Sequence, residues 1–234
     1  FWFAMSAGIL IVAAAFFAVH ETHGPEKRST STSFFGGYAI LMRDARFLAF
    51  VSQSGFMSVS FFAIAAASPF LMKDVLGRSA SEFGLYFVCF PIGYCLGNLV
   101  SSRLSGRVGI EKMVLAGSLG NLLVTTSQTV IIASGHLSPA ILFVPGGLMS
   151  FAQGLSLPNA QAGAIRVAPA LAGTAAGLGV FVQMGLSAIA TESYGLFADG
   201  TPTPMYVIAM AGALLAVICI VPLFKVPRSE EHTS

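Results

Sequence analysis

The sequence predicts an all-α membrane protein, a multispanning helical bundle with seven transmembrane helices. Only 9% of its 234 residues are charged and 55% are hydrophobic, whereas soluble domains carry roughly 25% charged residues. The mean hydropathy is +0.81. Uncharged runs that approach or reach the roughly 20 residues needed to cross a bilayer alternate with short polar turns. Because the bilayer core excludes charge, this alternation is typical of helices that cross a membrane repeatedly.

Seven uncharged runs are candidate spans. The stretch from Met113 to Ile165 contains no charge and is too long for one helix, so it must fold back at the turn residues 134–139. A second hairpin is predicted where Arg166 and Pro169 interrupt two apolar runs. The predicted spans are 1–19, 47–72, 83–102, 113–133, 140–161, 170–191 and 205–224.

The longest connection, residues 20–46, is rich in charge, Ser, Thr and Gly, and we interpret it as a central cytoplasmic loop with a short amphipathic piece near 34–42. The bundle is expected to occupy 47–227. Residues 228–234 resemble the translation of a sequencing adaptor, so we treat them as a non-native tail. The chain opens inside an apolar run without Met, which suggests a fragment.

Basic residues predict the orientation of the bundle. If the central loop is cytoplasmic, the outer turns hold only Lys73 and Arg78, and the other ten of the twelve Lys and Arg residues lie on the inner side. The predicted C-terminus is then cytoplasmic as well.

Six amide side chains fall inside the predicted spans, where contact with lipid is costly. We expect them to face other helices or a wet cavity. No carboxylate or basic group lies at the middle of a span. Glycines at helical spacing, such as Gly93 with Gly97 and Gly173 with Gly177, predict close helix crossings. The six amides are Gln53, Asn98, Asn121, Gln128, Gln153 and Gln183.

Several classes of function are disfavoured by the residues. No nucleophile–base pair or phosphate-binding glycine loop appears, so we expect no enzyme and no cofactor. His20 and His23 have no third ligand arranged around them, and no metal site is expected. The net charge of +2 is too small to indicate nucleic-acid binding.

Several stretches together resemble the C-terminal half of a major facilitator transporter of the Bcr/CflA drug:proton antiporter group. The most specific are Pro158–Ala164 (PNAQAGA), Ala172–Ala176 (AGTAA) and Gln183–Met184. Ser68-Pro69-Phe70 resembles the end of the seventh helix of that family, and Glu21-Thr22 the end of its sixth. In a degraded copy of the family's loop signature, residues 104–112, Gly106 stands where Asp is expected.

The resemblance implies helix six plus the six C-terminal helices of a twelve-helix carrier, located in a bacterial inner membrane. The implied activity is export of small hydrophobic compounds in exchange for protons, with the proton-coupling acid in a missing N-terminal half. The second and fifth spans would be central. The implied cavity residues are Gln53, Phe56, Met57, Tyr94, Met149, Gln153, Phe181 and Met184.

Two other functions stay open at this point. The chain could belong to an uptake permease for a small neutral metabolite, because a charged substrate would require a Lys or Arg inside a span and none is present. It could also be a membrane module that does not transport. About five further spans encoded upstream would favour a carrier.

Overall fold

The computed structural model describes residues 2–18 and 34–224. About 90% of these residues are helical and none lies in a strand, which confirms the all-α prediction. The chain divides into two compact units, residues 1–37 and 38–234. Residues 20–33 of the predicted central loop, including His20 and His23, and the predicted tail 228–234 lie outside the described residues.

Nine α-helices follow one another in the described ranges. A π-helical turn, Leu71–Val75, continues α3, and 3-10 turns at Pro169–Leu171 and Val221–Phe224 flank the last two helices. The helices are α1 Trp2–Ala18, α2 Phe34–Leu41, α3 Ala45–Phe70, α4 Ala80–Phe87, α5 Cys89–Val108, α6 Ile110–Ala133, α7 Pro139–Val167, α8 Ala172–Phe197 and α9 Thr203–Ile220.

Six helical segments in the described residues are long and apolar enough to cross a membrane, and they match the six spans predicted for the bundle. The hairpin predicted near Arg166 is confirmed, with its turn at Ala168–Leu171. Helix α1 coincides with the predicted first span. Its 17 residues cover about 25 Å, short of the roughly 30 Å bilayer core, so that seventh crossing stays a prediction.

Helices α3 and α7 form the centre of the second unit. Helix α3 packs against α9, α8 and α7, and α7 packs against α5, α6 and α3. In the most apolar 18-residue stretch of the segment that contains α3, and in that of α7, 61% of the residues are buried. The corresponding share is 17% for the α4–α5 segment and for the segment that contains α8. The prediction that the second and fifth spans are central is therefore confirmed.

Glycine allows α5 and α7 to cross at backbone contact. A Cβ on Gly93 would overlap the carbonyl oxygen of Gly147, and one on Gly97 would overlap that of Phe151. A Cβ on Gly154 would lie 2.5 Å from the carbonyl oxygen of Tyr94. These contacts confirm the close crossing predicted from Gly93 and Gly97. Such tight packing stabilises helix association in lipid.

The second predicted glycine crossing is wrong for the described chain. No described heavy atom outside their own helical turns lies within 4 Å of a Cβ built on Gly173 or Gly177. Both glycines lie on an exposed face of α8. Spacing alone predicted a crossing here, but a crossing also requires a neighbouring helix at that face.

Proline interrupts the regular helical hydrogen bonding inside the third predicted span, which still forms one candidate membrane crossing, Ala80–Val108. Pro91 has no N–H, and its ring clashes with the carbonyl group four residues earlier, that of Phe87. The helix is interrupted at Val88, between α4 and α5. At the start of α4, Ser79 and Glu82 form a capping box, which fixes the entry of this short helix.

Candidate functional site

A cavity of about 390 Å³ lies between α3, α5, α7 and α8, with the end of α4 beside it. This volume lies within the range of roughly 300–1,000 Å³ that is typical of small-molecule sites. Its walls combine aromatic rings with uncharged polar groups. The lining residues are Ser58, Phe61, Phe62, Phe87, Phe90, Pro91, Tyr94, Ser150, Gln153, Leu157 and Gln183.

Helical periodicity separates the packing face of α7 from its cavity face. With 3.6 residues per turn, Ser150, Gln153 and Leu157 fall on one face, and all three line the cavity. Gly147 and Gly154 fall on the adjoining face and contact α5. The close crossing with α5 therefore brings Tyr94 and Phe90 to the rim of the same cavity.

Aromatic rings form a continuous wall on one side of the cavity. The centroid of the Phe90 ring lies 5.5 Å from that of Phe61 in an edge-to-face arrangement and 5.0 Å from that of Phe87. The Phe61 and Phe62 rings are 5.4 Å apart and also meet edge to face. Such pairs are favourable beyond their buried area, and they leave ring faces and edges available to a ligand.

Two glutamine amides face the cavity from α7 and α8. Gln153 Nε2 donates to the carbonyl oxygen of Met57 over 3.0 Å. Gln183 Nε2 donates to Ser58 Oγ over 2.8 Å. Ser150 Oγ is buried and has no hydrogen-bond partner in the described residues. The cavity thus presents polar atoms whose hydrogen-bonding capacity the protein does not fill.

A second polar region, the junction of α3, α6 and α7, is closed. Gln53 is fully buried, and its Nε2 donates to Ser118 Oγ over 2.8 Å and to Ser156 Oγ over 2.7 Å. Asn121 Nδ2 donates to Ser60 Oγ over 3.3 Å. None of these side chains lines the cavity, and their hydrogen bonds join α3 to α6 and α7. Gln53 Oε1 and Asn121 Oδ1 are buried without a hydrogen-bond partner in the described residues.

Five of the six span amides contact another helix, as predicted. Gln128 Nε2 donates to the carbonyl oxygens of Ile141 and Leu142 on α7. For Asn98 such a contact stays a prediction, since its Nδ2 donates to the carbonyl oxygen of Tyr94 on its own helix. A carbonyl one turn earlier was sufficient to satisfy that donor.

The eight residues named from the family resemblance are divided among different environments. Tyr94 and Gln153 line the cavity. Gln53, Met57 and Met149 are buried in contacts between helices, and Phe56 packs against the cluster that contains Met57. Phe181 and Met184 lie on the exposed side of α8, with 73% and 49% of their surface accessible. Contact of any of the eight with a substrate stays a prediction.

Most of the aromatic wall was absent from the cavity predicted from sequence, which included only Tyr94 of the rings that line it. On a helical projection of α3, Phe62 lies opposite Gln53 and Phe61 lies about 80° from it. Phe87 and Phe90 flank the break that Pro91 causes. The clustering of phenylalanines at matching depths of two antiparallel spans was the available signal.

The match to a family model covers residues 48–234, which is most of the chain and includes every helix that lines the cavity. The model is that of the Major Facilitator Superfamily. The chain belongs to this superfamily. Its helices α3 to α9 supply the membrane-spanning bundle of a multi-pass membrane protein.

Curated members of the superfamily resemble the chain at low identity. It is 31% identical over 147 residues to the multidrug transporter MdfA of Edwardsiella ictaluri, covering 61% of this chain and 35% of that protein. It is 32% identical over 126 residues to the multidrug transporter MdfA of Escherichia coli O157:H7, covering 53% and 30%. The chain therefore spans about a third of the length of these relatives. No solved structure matches it.

Proposed function

We propose that this chain is the C-terminal part of a drug:proton antiporter of the Bcr/CflA type in a bacterial inner membrane. The single observation that carries the proposal is the cavity of about 390 Å³ with aromatic walls, two amides and no charged lining residue. Such a surface suits small hydrophobic compounds of varied shape. The similarity to multidrug transporters MdfA supports the same class of substrate.

Proton coupling requires a group that can bind and release a proton near the middle of the membrane. Among the described residues, none of the cavity-lining side chains is a carboxylate or a histidine. We therefore place the coupling acid in an N-terminal half that pairs with this bundle. Rocking of two halves around the shared cavity would then expose the bound compound to either side of the membrane.

The test uses inverted membrane vesicles that contain the protein encoded by the complete reading frame. Addition of a hydrophobic drug to energised vesicles should release protons from the lumen and dissipate the pH gradient. A gradient that no drug changes would contradict antiport. Inward movement of a neutral metabolite in whole cells would favour the uptake permease instead.

Two variants locate the activity within the protein. The 234-residue chain expressed alone should not transport, because it supplies one side of a two-sided cavity. Gln153→Leu in the complete protein should change the range of exported compounds more than the amount of folded protein. An unchanged range would remove Gln153 from the site.

A further inference from the structure

The two glutamines of the cavity are held in one orientation by their amide nitrogens. The carbonyl oxygen of Met57 can only accept a hydrogen bond, so the amide atom 3.0 Å from it must be Gln153 Nε2. Ser58 Oγ donates its own hydrogen to the carbonyl oxygen of Ser54 over 3.1 Å. It must therefore accept from Gln183, which fixes Nε2 of Gln183 as the atom 2.8 Å away.

The opposite orientation of either amide would be costly. It would place Oε1 of Gln153 against a carbonyl oxygen, and Oε1 of Gln183 against a hydroxyl whose hydrogen is already used. Two acceptors would then face each other without a proton between them. Both side chains are therefore positioned before a ligand arrives, which lowers the entropy that binding must overcome.

The oxygen ends of both amides keep their full capacity to accept. Within residues 2–18 and 34–224, the side-chain hydrogen bonds of Gln153 and Gln183 are made by Nε2, and none reaches Oε1. The other polar lining groups are hydroxyls of Ser58, Ser150 and Tyr94. Each amide nitrogen uses one of its two N–H groups, so each amide keeps one N–H and an oxygen that no bond fills. A ligand that lacks N–H and O–H donors would leave both of these oxygens without a hydrogen bond.

We propose that this cavity selects aromatic compounds that carry N–H or O–H donors, with Gln153 and Gln183 as its specificity-determining residues. The proposal rests on the proposed function, since it assigns the cavity to the exported compound. The Phe61, Phe62, Phe87 and Phe90 rings supply contacts for an aromatic body. An N–H or O–H donor on that body pairs with an amide oxygen. A compound without donors displaces water from both oxygens and does not replace the hydrogen bonds that the water made.

A matched pair of dyes isolates this effect. Proflavine and acridine orange share a planar, cationic, fluorescent acridine ring, but methylation of acridine orange removes the N–H donors of both amino groups. Binding of each dye to the purified, complete protein is measured by fluorescence anisotropy. We expect proflavine to bind roughly three- to tenfold more tightly than acridine orange, the range that one or two net hydrogen bonds supply.

Gln153→Met and Gln183→Met remove the acceptors at nearly constant volume. In each variant the ratio of the two dissociation constants should fall toward one, because the amino N–H groups of proflavine lose an acceptor, whereas the ring N–H is common to both cationic dyes. Gln161→Met is the matched control, since Gln161 lies on α7 with its side chain exposed outside the cavity. The ratio is measured within one preparation, so a lower folded fraction in a variant does not change it.

The outcomes separate this proposal from the proposed function. Binding of both dyes with a ratio near one in the wild type, or with a ratio that both methionine variants preserve, overturns donor selection and leaves the cavity as a drug site. Failure of the protein to bind or export either dye contradicts both proposals. A preference for proflavine that disappears in the Gln153 and Gln183 variants, and survives in the Gln161 variant, supports donor selection.

Discussion

The closed polar junction and the open cavity use the same kinds of side chain for opposite purposes. At the junction, Gln53 donates to Ser118 and Ser156 and is sealed among α3, α6 and α7. At the cavity, Gln153 binds a backbone carbonyl with its nitrogen and turns its other end toward open volume. Gln53 Oε1 also lacks a hydrogen-bond partner in the described residues, so the two amides differ in whether the unfilled oxygen faces packed helices or open volume.

The largest expected effect comes from placing a charge in each region. Gln53→Glu puts a carboxylate where no water reaches, and we expect the free energy of unfolding in detergent to fall by about 3–5 kcal/mol at neutral pH. Gln183→Glu is the matched change at the cavity. Gln183 is only half-buried and lines the open cavity, so water can solvate the new carboxylate and stability should stay within about 1 kcal/mol of wild type.

Circular dichroism during titration with dodecyl sulfate measures both free energies. Equal losses in the two variants would mean that the junction and the cavity are equally closed to water, and the distinction between them would be wrong.

Two consecutive residues of α7 have different roles, since Gln153 lines the cavity and Gly154 packs against α5. Gly154 follows Gln153 directly, but its Cα faces the backbone of Tyr94 and Asn98. Gly154→Ala should lower the free energy of unfolding by about 2–3 kcal/mol, because the new methyl group would force the two backbones apart. Gly173→Ala, at an open position of α8, should be neutral or slightly stabilising. Similar losses of unfolding free energy in the two variants would show that the cost does not come from the close approach of α5 and α7.

The smallest effect concerns two buried serines of α7. Ser150→Ala removes a hydroxyl without a partner among the described residues, so we expect stability to be unchanged or to rise by up to about 1 kcal/mol. Ser156→Ala removes an acceptor of Gln53 at the junction and should cost about 1 kcal/mol. Thermal unfolding of the two variants beside the wild type shows whether each substitution raises or lowers stability. A larger loss at Ser150 than at Ser156 would show that the Ser150 hydroxyl is bound by a group outside the described residues.

The spans were predictable from sequence because the bilayer imposes a simple rule of length and charge. Six helices of the bundle follow that rule, and their charged ends, such as Arg107 in α5 and Arg166 in α7, extend the helices beyond the apolar runs. The closeness of α5 and α7 was also predictable, because Gly93 and Gly97 serve no other evident purpose. The break at Val88 could have been predicted from Pro91, four residues after the clashing carbonyl.

The division of the amides between junction and cavity was not predictable in the same way. Periodicity shows that Gln53 and Ser60 share a face of α3 and that Ser58 and Phe62 lie elsewhere. It does not show which face meets α6 and which meets open volume, because that depends on how the helix is rotated against its neighbours. Gln53 was therefore grouped with Gln153, and Gln183 was left out of the predicted cavity.

Labelling of substituted cysteines by a water-soluble maleimide tests the central claim most directly. In the complete protein, with Cys89, Cys95 and Cys219 replaced by serine, Tyr94→Cys and Gln53→Cys place a thiol in the cavity and at the junction. Tyr94→Cys should be labelled rapidly and be protected by proflavine, whereas Gln53→Cys should not react in the folded protein. Labelling of Gln53→Cys with protection by the dye, and none at Tyr94→Cys, would show that the compound passes through the junction instead.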